Sequence, residues 1–344
     1  MENKKIIKIN FKNFWEGFDP ENNFFTNLLR KKYEIVIEDN PDYLFYSVYR
    51  KEKVLEGFSK KGDLVRNISP ELYIILKKLY SYLKRLFNKN EEIKVPEGDF
   101  IKIFYGAEKV KPNMDECDFA FSIYPEKEMK NKNYMRLQTN LVTDFLLKEK
   151  GELPLNRNIE FNKIKREKTK FCNFIYSQDT LHRNNFFKKL NKYKKVDSPG
   201  RCMNNMSQIG EYENAKKSRI SINWVEEKLN FLKDYKFTIA FENELKDWYT
   251  TEKLIHPLLV NSIPIYFGNK KIDKDFNEKC FINYHNFKNI KSLIQHIIKV
   301  DKDDKLYEEY LKQPIFKSKK QYYLSKSKRV ENRLNEIIEG NDKK

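Results

Sequence analysis

The chain has 344 residues, with 68 Lys and Arg against 50 Asp and Glu for a net charge of +18, and it is 40% hydrophobic and 15% aromatic. That length suits two domains at roughly 100–200 residues each, and the apolar content is enough for real cores, which excludes wholesale disorder. No apolar run approaches the ~20 residues of a membrane helix, and the amino terminus lacks a signal peptide's apolar core. The four cysteines (Cys117, Cys172, Cys202, Cys280) stand far apart, which speaks for a reducing, cytoplasmic setting and against a disulfide scaffold or zinc site.

Short apolar runs alternate with helical periodicity from end to end, so the expected class is α/β. Residues 5–10 (KIIKIN) read as a first strand, which enters a loop at Phe14-Trp15-Glu16-Gly17-Phe18-Asp19-Pro20. A helix over 22–32 follows, then strands over 33–38, 43–49, 100–105 and 118–123, five strands expected in one sheet. Residues 69–90 break the rhythm. A Ser N-cap and a Pro open a helix in which Leu72, Leu76, Leu79, Leu83 and Leu86 repeat at three and four residues, beside Lys77, Lys78, Lys84 and Arg85. A core-packed helix with a solvated face is the plainer reading, and a membrane-surface or self-association helix the alternative.

The Lys-, Glu- and Asn-rich stretch 148–170, with Gly151 and Pro154, marks the domain boundary. Beyond it come a strand over 171–177, a helix over 182–193, a strand over 236–241, a helix over 251–260, and strands over 263–267 and 280–284. The expected division is 1–160, 161–310, and a basic helical tail over 311–344, read as mostly solvated. Two consecutive β/α halves suggest two nucleotide-fold-like domains across a cleft, with ligands at the carboxyl ends of strands.

A net charge of +18 attracts phosphates of any origin, but a chain so rich in Lys, Asn and Ile also carries lysine as plain solvated surface. No nucleic-acid-binding motif is present, and none of the ten glycines builds a GxGxxG or Walker A loop. No HExxH or GxSxG occurs either. Asp273-x-Asp275 and Asp301-x-Asp303 could hold a metal–nucleotide pair, although such pairs are common in an acidic-rich chain.

The densest polar cluster is Phe241-Glu242-Asn243-Glu244-Leu245-Lys246-Asp247-Trp248-Tyr249-Thr250-Thr251-Glu252-Lys253. An apolar strand ends in Glu242 and Asn243, and a helix opens after Thr250 or Thr251. Glu252 suits the positive end of that helix and Lys253 does not. A cation there makes sense if an anion sits between it and the free backbone N–H groups, although a solvated lysine is the competing reading.

This cluster resembles the signature of the α-1,3/4-fucosyltransferase family, Phe-Glu-Asn, a short spacer, then Tyr-x-Thr-Glu-Lys. The similarity extends through Ile263-Pro264-Ile265-Tyr266-Phe267-Gly268, Lys274-Asp275-Phe276-Asn277, Lys170-Phe171-Cys172-Asn173-Phe174 and Arg183-Asn184-Asn185-Phe186-Phe187. It also takes in the Trp15–Pro20 loop and Phe104-Tyr105-Gly106-Ala107-Glu108, and so covers most of residues 4–300. The resemblance implies two facing Rossmann-like domains of GT-B type with a helical carboxy-terminal tail. It implies GDP-fucose in the second domain and transfer with inversion, usually to O3 of N-acetylglucosamine in a β-galactoside glycan such as N-acetyllactosamine. Arg183 matches the family's diphosphate-binding arginine. Tyr249, Glu252 and Lys253 match donor-site residues, and Glu242 and Asn243 line the same pocket. No cofactor is implied and no metal site, with stimulation by a divalent ion left open.

Physical chemistry suits those roles. A guanidinium fork and a lysine can hold a departing diphosphate without metal, and Glu252 could hold sugar hydroxyls or stabilise the positive ring carbon. Inversion also needs a carboxylate opposite the leaving group. The family keeps it before a Tyr-x-Arg matched by Tyr134-Met135-Arg136, where this chain looks longer by about two residues. Glu126 is the expected base, Glu128 the substitute and Glu108 a third candidate. Residues 51–97 look inserted and would lie on the acceptor side. The expected partners are GDP-fucose and a glycan acceptor, with an anionic inner membrane face as a peripheral docking surface and no nucleic acid. Competing readings are a transferase using another nucleotide sugar, and a basic nucleic-acid- or membrane-binding protein without transferase activity.

Overall fold

The computed structural model describes residues 4–15, 17–49, 69, 72, 73, 75, 76, 79, 95–106, 110–143, 153–155, 157–209 and 222–341. In the first half, the apolar runs form strands β1 (Ile6–Lys12), β2 (Glu34–Ile37), β3 (Tyr43–Tyr46), β4 (Ile101–Gly106), β5 (Phe119–Ser122) and β6 (Tyr134–Arg136). They pair in parallel in the order β2-β1-β3-β4-β5-β6. Five strands were expected in this sheet, and β6 adds a sixth, three residues long. In the second half, β7 (Lys170–Asn173), β8 (Val196–Asp197), β9 (Tyr235–Phe241), β10 (Ile263–Phe267) and β11 (Ile282–Asn283) form a parallel sheet in the order β11-β10-β9-β7-β8. The class is α/β, with two parallel sheets, as expected.

Each sheet reverses its direction of growth once, between β1 and β3 in the first and between β7 and β9 in the second. Parallel sheets of this kind leave a crevice beyond the carboxyl ends of the strands at that reversal. The two carboxyl edges meet. Trp248, in the loop that follows β9, is buried with Tyr46, Phe104, Ile123, Tyr124 and Tyr134 of the first half.

Packing explains the first core. Ile7 and Ile9 alternate inward along β1 and meet Phe24, Phe25, Leu28 and Leu29 of the helix Phe24–Arg30. That helix is capped by Asn23, whose side chain accepts from the backbone N–H groups of Phe25 and Thr26 at 3.0 and 3.1 Å. The last helix, Ser327–Asn341, closes the same core with Val330, Leu334, Ile337 and Ile338. The solvated tail expected over 311–344 is thus corrected for this helix. Its charged residues, one Lys, two Arg and three Glu, masked an apolar stripe at helical spacing, and Lys31, at the end of the first helix, reaches Glu331 at 2.8 Å.

Most of the amphipathic stretch 69–90, and nearly all of 51–97, lies outside the described residues. Of its described leucines and isoleucine, Leu72, Ile75 and Leu79 are 47%, 56% and 51% exposed, and Leu76 is half-buried. Among the described residues, no helix is long and apolar enough to cross a membrane.

Candidate functional site

β7 and β9 flank the reversal point of the second sheet, and the predicted donor residues gather beyond their ends. β7 leads through Tyr176 to the helix Leu181–Asn191, which places Arg183 in the first turn. Arg183 is 1% exposed. Its Nη2 donates to Asn243 Oδ1 at 2.6 Å, its Nη1 to the Gln178 carbonyl at 3.4 Å, and its guanidinium lies 4.2 Å from the Tyr176 ring centroid. Its Nε has no hydrogen-bond partner although it is buried. Thr180, the N-cap of this helix, makes no side-chain cap bond, and its Oγ1 is also buried without a partner.

Tyr176 is the pin. Its hydroxyl donates toward the Ile239 and Phe241 carbonyls at 2.8 and 3.1 Å and accepts from the Phe241 N–H at 2.6 Å, so the end of β9 is tied to the end of β7. Gly200 packs so closely on Tyr176 that an added Cβ would sit 2.4 Å from its carbonyl oxygen, so position 200 tolerates no side chain.

β9 then delivers Glu242, fully buried. Glu242 Oε1 accepts from the Thr251 N–H and Oε2 from the Thr251 hydroxyl, both at 2.8 Å. Burial pushes the Glu242 carboxyl up from its ordinary range. Gly268 makes room for it, since a Cβ there would lie 2.5 Å from Glu242 Cγ. Thr251 caps the helix Glu252–Leu259, and Lys253 in its first turn sits 3.5 Å from Glu242 Oε2, 3.4 Å from Glu252 Oε1 and 3.1 Å from Thr251 Oγ1. Burial works against both charges of the Glu252–Lys253 pair, but each holds the other. Lys253, with Lys228 and His256, keeps Glu252 well below the carboxylate range, and Glu252 and Glu242 keep Lys253 firmly cationic. Tyr249 is half-buried beside them.

The six donor-side candidates Arg183, Glu242, Asn243, Tyr249, Glu252 and Lys253 thus come together at one end of the sheet. Lys253 is shared between two carboxylates, whereas Arg183 touches no carboxylate among the described residues. The charge open to an incoming anion therefore lies on Arg183, at a helix N-terminus. A group of half-buried rings stands next to it. His182 stacks on Phe241 at 6.2 Å, and Phe267 lies 5.6 Å from His182 and 4.5 Å from Tyr284.

Glu126 is placed apart from this group. Its Oε1 accepts from the Arg136 N–H at 3.0 Å and from Arg329 Nη1 at 3.1 Å. Against the effect of burial, the backbone N–H groups of residues 126 and 136 and the Arg329 charge lower its proton affinity. Glu128, two residues on, is exposed and accepts from Trp248 Nε1 at 3.0 Å, so it meets the donor loop directly. Glu108 lies outside the described residues. The Asp-x-Asp pairs are committed elsewhere. Asp275 takes two bonds from Arg136, Asp301 takes Lys236 at 2.9 Å, and Asp303 caps the helix Asp304–Lys312. Among the described residues, no group of three or more His, Cys, Asp or Glu side chains is placed to hold a metal ion.

Sequence reasoning missed Tyr176, Trp248 and Asn269. Asn269 accepts from the Trp248 N–H at 2.9 Å and donates to the Thr250 hydroxyl at 3.3 Å, holding the donor loop from below. For Asn269 the one available signal was its neighbour, the run Ile263-Pro264-Ile265-Tyr266-Phe267-Gly268, noted for its resemblance and ending one residue before it.

A third feature lies at the reversal point of the first sheet. The loop after β1 gathers Phe14, Trp15 and Phe18, all half-buried, with Tyr49. Phe14 and Phe18 are 4.2 Å apart, Trp15 and Phe18 5.0 Å, and Trp15 and Tyr49 5.5 Å.

Comparison with known proteins gives this geometry a context. Residues 165–336 match the model of glycosyltransferase family 10 (fucosyltransferase), C-terminal part, which is half of the chain, and residues 9–59 match the N-terminal domain of alpha-(1,3)-fucosyltransferase. An alpha-(1,3)-fucosyltransferase of Helicobacter pylori is 29% identical over 226 residues, 57% of this chain and 43% of that protein. The GDP-fucose protein O-fucosyltransferase 3 of Xenopus tropicalis is 34% identical over 130 residues, 38% of this chain and 26% of that protein. The chain thus spans less than half the length of these relatives. A crystal structure of an alpha1,3-fucosyltransferase with GDP-fucose superposes with a TM-score of 0.65 at 20% identity, over 98% of this chain and 92% of that one, a likeness of fold.

Proposed function

The chain belongs to glycosyltransferase family 10 (fucosyltransferase), and from that premise we propose that it moves L-fucose from GDP-fucose to a saccharide with inversion at the transferred carbon. The observation that carries the reading is Arg183, a buried guanidinium whose Nε has no partner, at a helix N-terminus beside the reversal point of the second sheet. Such a group is costly to bury alone and is compensated by a diphosphate. Donor-site relatives carry GDP-fucose in their names, and the half-buried rings of His182, Phe267 and Tyr284 offer a face for the base.

In this reading Arg183 binds the diphosphate, and its charge grows more valuable as the sugar–phosphate bond breaks. Thr251 and Glu242 set the position of Lys253, which adds a second positive charge nearby. Glu252, kept ionised, faces the developing positive charge of the sugar ring, and Tyr249 and Asn243 line the pocket. The rings of Phe14, Trp15 and Phe18 provide an apolar platform on the acceptor side of the kind that a pyranose face packs against. For the acceptor's proton, Glu128 is better suited than Glu126. Glu126 is neutralised by Arg329, whereas Glu128 pairs with no cation among the described residues and already touches the donor loop. We further propose O3 of N-acetylglucosamine in N-acetyllactosamine as the acceptor position, because the larger matched share of this chain is to an alpha-(1,3)-fucosyltransferase. A fucosylated protein side chain is the second reading, favoured by the match to a protein O-fucosyltransferase.

The test is GDP release from GDP-fucose in EDTA, with N-acetyllactosamine, with a folded protein acceptor, and with neither. Acceptor-dependent release with the disaccharide supports the proposal, and release with the protein alone moves it to the second reading. Arg183→Ala should weaken GDP binding by about 2–5 kcal/mol, and Glu128→Gln should keep GDP binding while losing transfer. Wild-type GDP affinity in Arg183→Ala would remove the diphosphate role.

A further inference from the structure

Trp248 is the least expected residue of the donor loop. Its φ is +68°, a left-handed conformation that a bulky aromatic adopts only when its surroundings demand it. Its backbone N–H is held by Asn269 of the second half, yet its ring is buried in a cluster contributed by the first half. The Arg136 guanidinium lies 5.0 Å from the ring centroid and the Lys271 ammonium 4.9 Å, so cations from both halves approach one indole. The single polar atom of the ring, Nε1, donates to Glu128 at 3.0 Å. The next residue is Tyr249, and Thr250 and Thr251 follow, the latter bonded to Glu242 and Lys253.

We infer that Trp248 is a positioning residue that carries the acceptor-side carboxylate Glu128 on its indole N–H and sets it against the donor loop. The two halves of the reaction centre are then registered through one side chain. The strained backbone keeps the loop in the shape that presents Nε1 to Glu128, and the ring, locked between Arg136 and Lys271, cannot turn away. The inference rests on the reading of Glu128 as proton acceptor given above.

The experiment compares wild type with Trp248→Phe, which keeps a ring among the same neighbours and removes only the N–H. The expected result is GDP affinity within twofold of wild type with a kcat at least tenfold lower, a split between donor binding and turnover. A purely structural role would lower thermal stability and GDP affinity along with kcat, and that result overturns the inference, as does wild-type kcat. A second measurement needs no variant at position 248. The chain has three tryptophans, and their indole 15N–1H resonances can be assigned with Trp15→Phe and Trp224→Phe. The Trp248 resonance should shift in Glu128→Gln while those of Trp15 and Trp224 stay in place, and a Trp248 resonance that does not move overturns the inference. If wild type neither binds GDP nor turns over, the functional reading itself falls. If Glu128→Gln retains wild-type turnover while wild type is active, the base assignment fails and this inference with it.

Discussion

His182 shows how a single half-buried ring links the surroundings of Arg183 to pH. It stacks on Phe241 next to Arg183, and burial, assisted by that arginine, pushes it down to about 4 from an ordinary value near 6.5. The unfolded chain therefore binds the proton first as pH falls. Stability contributed by the neutral ring is complete above about 6.5 and is lost as pH drops toward 4. The ring is only partly buried, so its share is about 1–2 kcal/mol rather than the full linkage value. In His182→Phe, the fall of the thermal midpoint between pH 6.5 and 4 should become shallower; curves that run parallel to wild type would show that the ring does not carry the dependence. The same neighbourhood shows what sequence reveals of single residues. Arg183, Glu242 and Lys253 were legible because each sits in a run of recognisable chemistry. Tyr176 was not, since a tyrosine three residues past a strand has no mark of the three backbone groups it ties together.

Among the elements, the helix Glu252–Leu259 shows capping and site assembly performed by one hydroxyl. Thr251 Oγ1 caps the helix and also donates to the buried Glu242. Thr251→Val should cost about 2–4 kcal/mol, roughly one for the cap and the rest for a buried carboxylate oxygen left without its donor. Thr251→Ser should stay within about 1 kcal/mol of wild type. Urea unfolding of the two variants decides it, and equal midpoints would mean that Glu242 finds another donor. Element by element, the sequence reading succeeded where apolar runs were long, as in β1, β9 and β10. It failed at β6 and β8, which have three and two residues and no room for an alternating pattern. It also failed at the helix Ser327–Asn341, where Arg, Lys and Glu outnumber the four buried apolar positions and read as a solvated face.

At the scale of the whole molecule, Arg136 joins the two halves. Its Nη1 and Nη2 donate to Asp275 Oδ1 and Oδ2 at 2.6 and 2.7 Å, both side chains are buried, and its carbonyl accepts from Arg329 Nη2. The bonded residues are 139 positions apart, and no spacing rule in a sequence foretells such a meeting. Both were noticed as family marks without any hint that they bond. Removing one partner leaves the other charged and dry, so Arg136→Met or Asp275→Asn should each cost about 3–5 kcal/mol. The pair Arg136→Met with Asp275→Leu should cost much less than the sum. A double-mutant cycle by chemical unfolding measures this, and strict additivity would show that the bridge does not couple the halves.

The helix Ser327–Asn341 has a consequence for synthesis. Its side chains complete a core begun by Ile7 and Ile9, so the first sheet emerges from the ribosome early and waits until residues 327–341 are made to acquire this wall. The second sheet draws its strands from one uninterrupted stretch between Lys170 and Asn283. Translation thus delivers the later sheet as the earlier one to be finished, the reverse of the usual amino-to-carboxyl order in which domains mature.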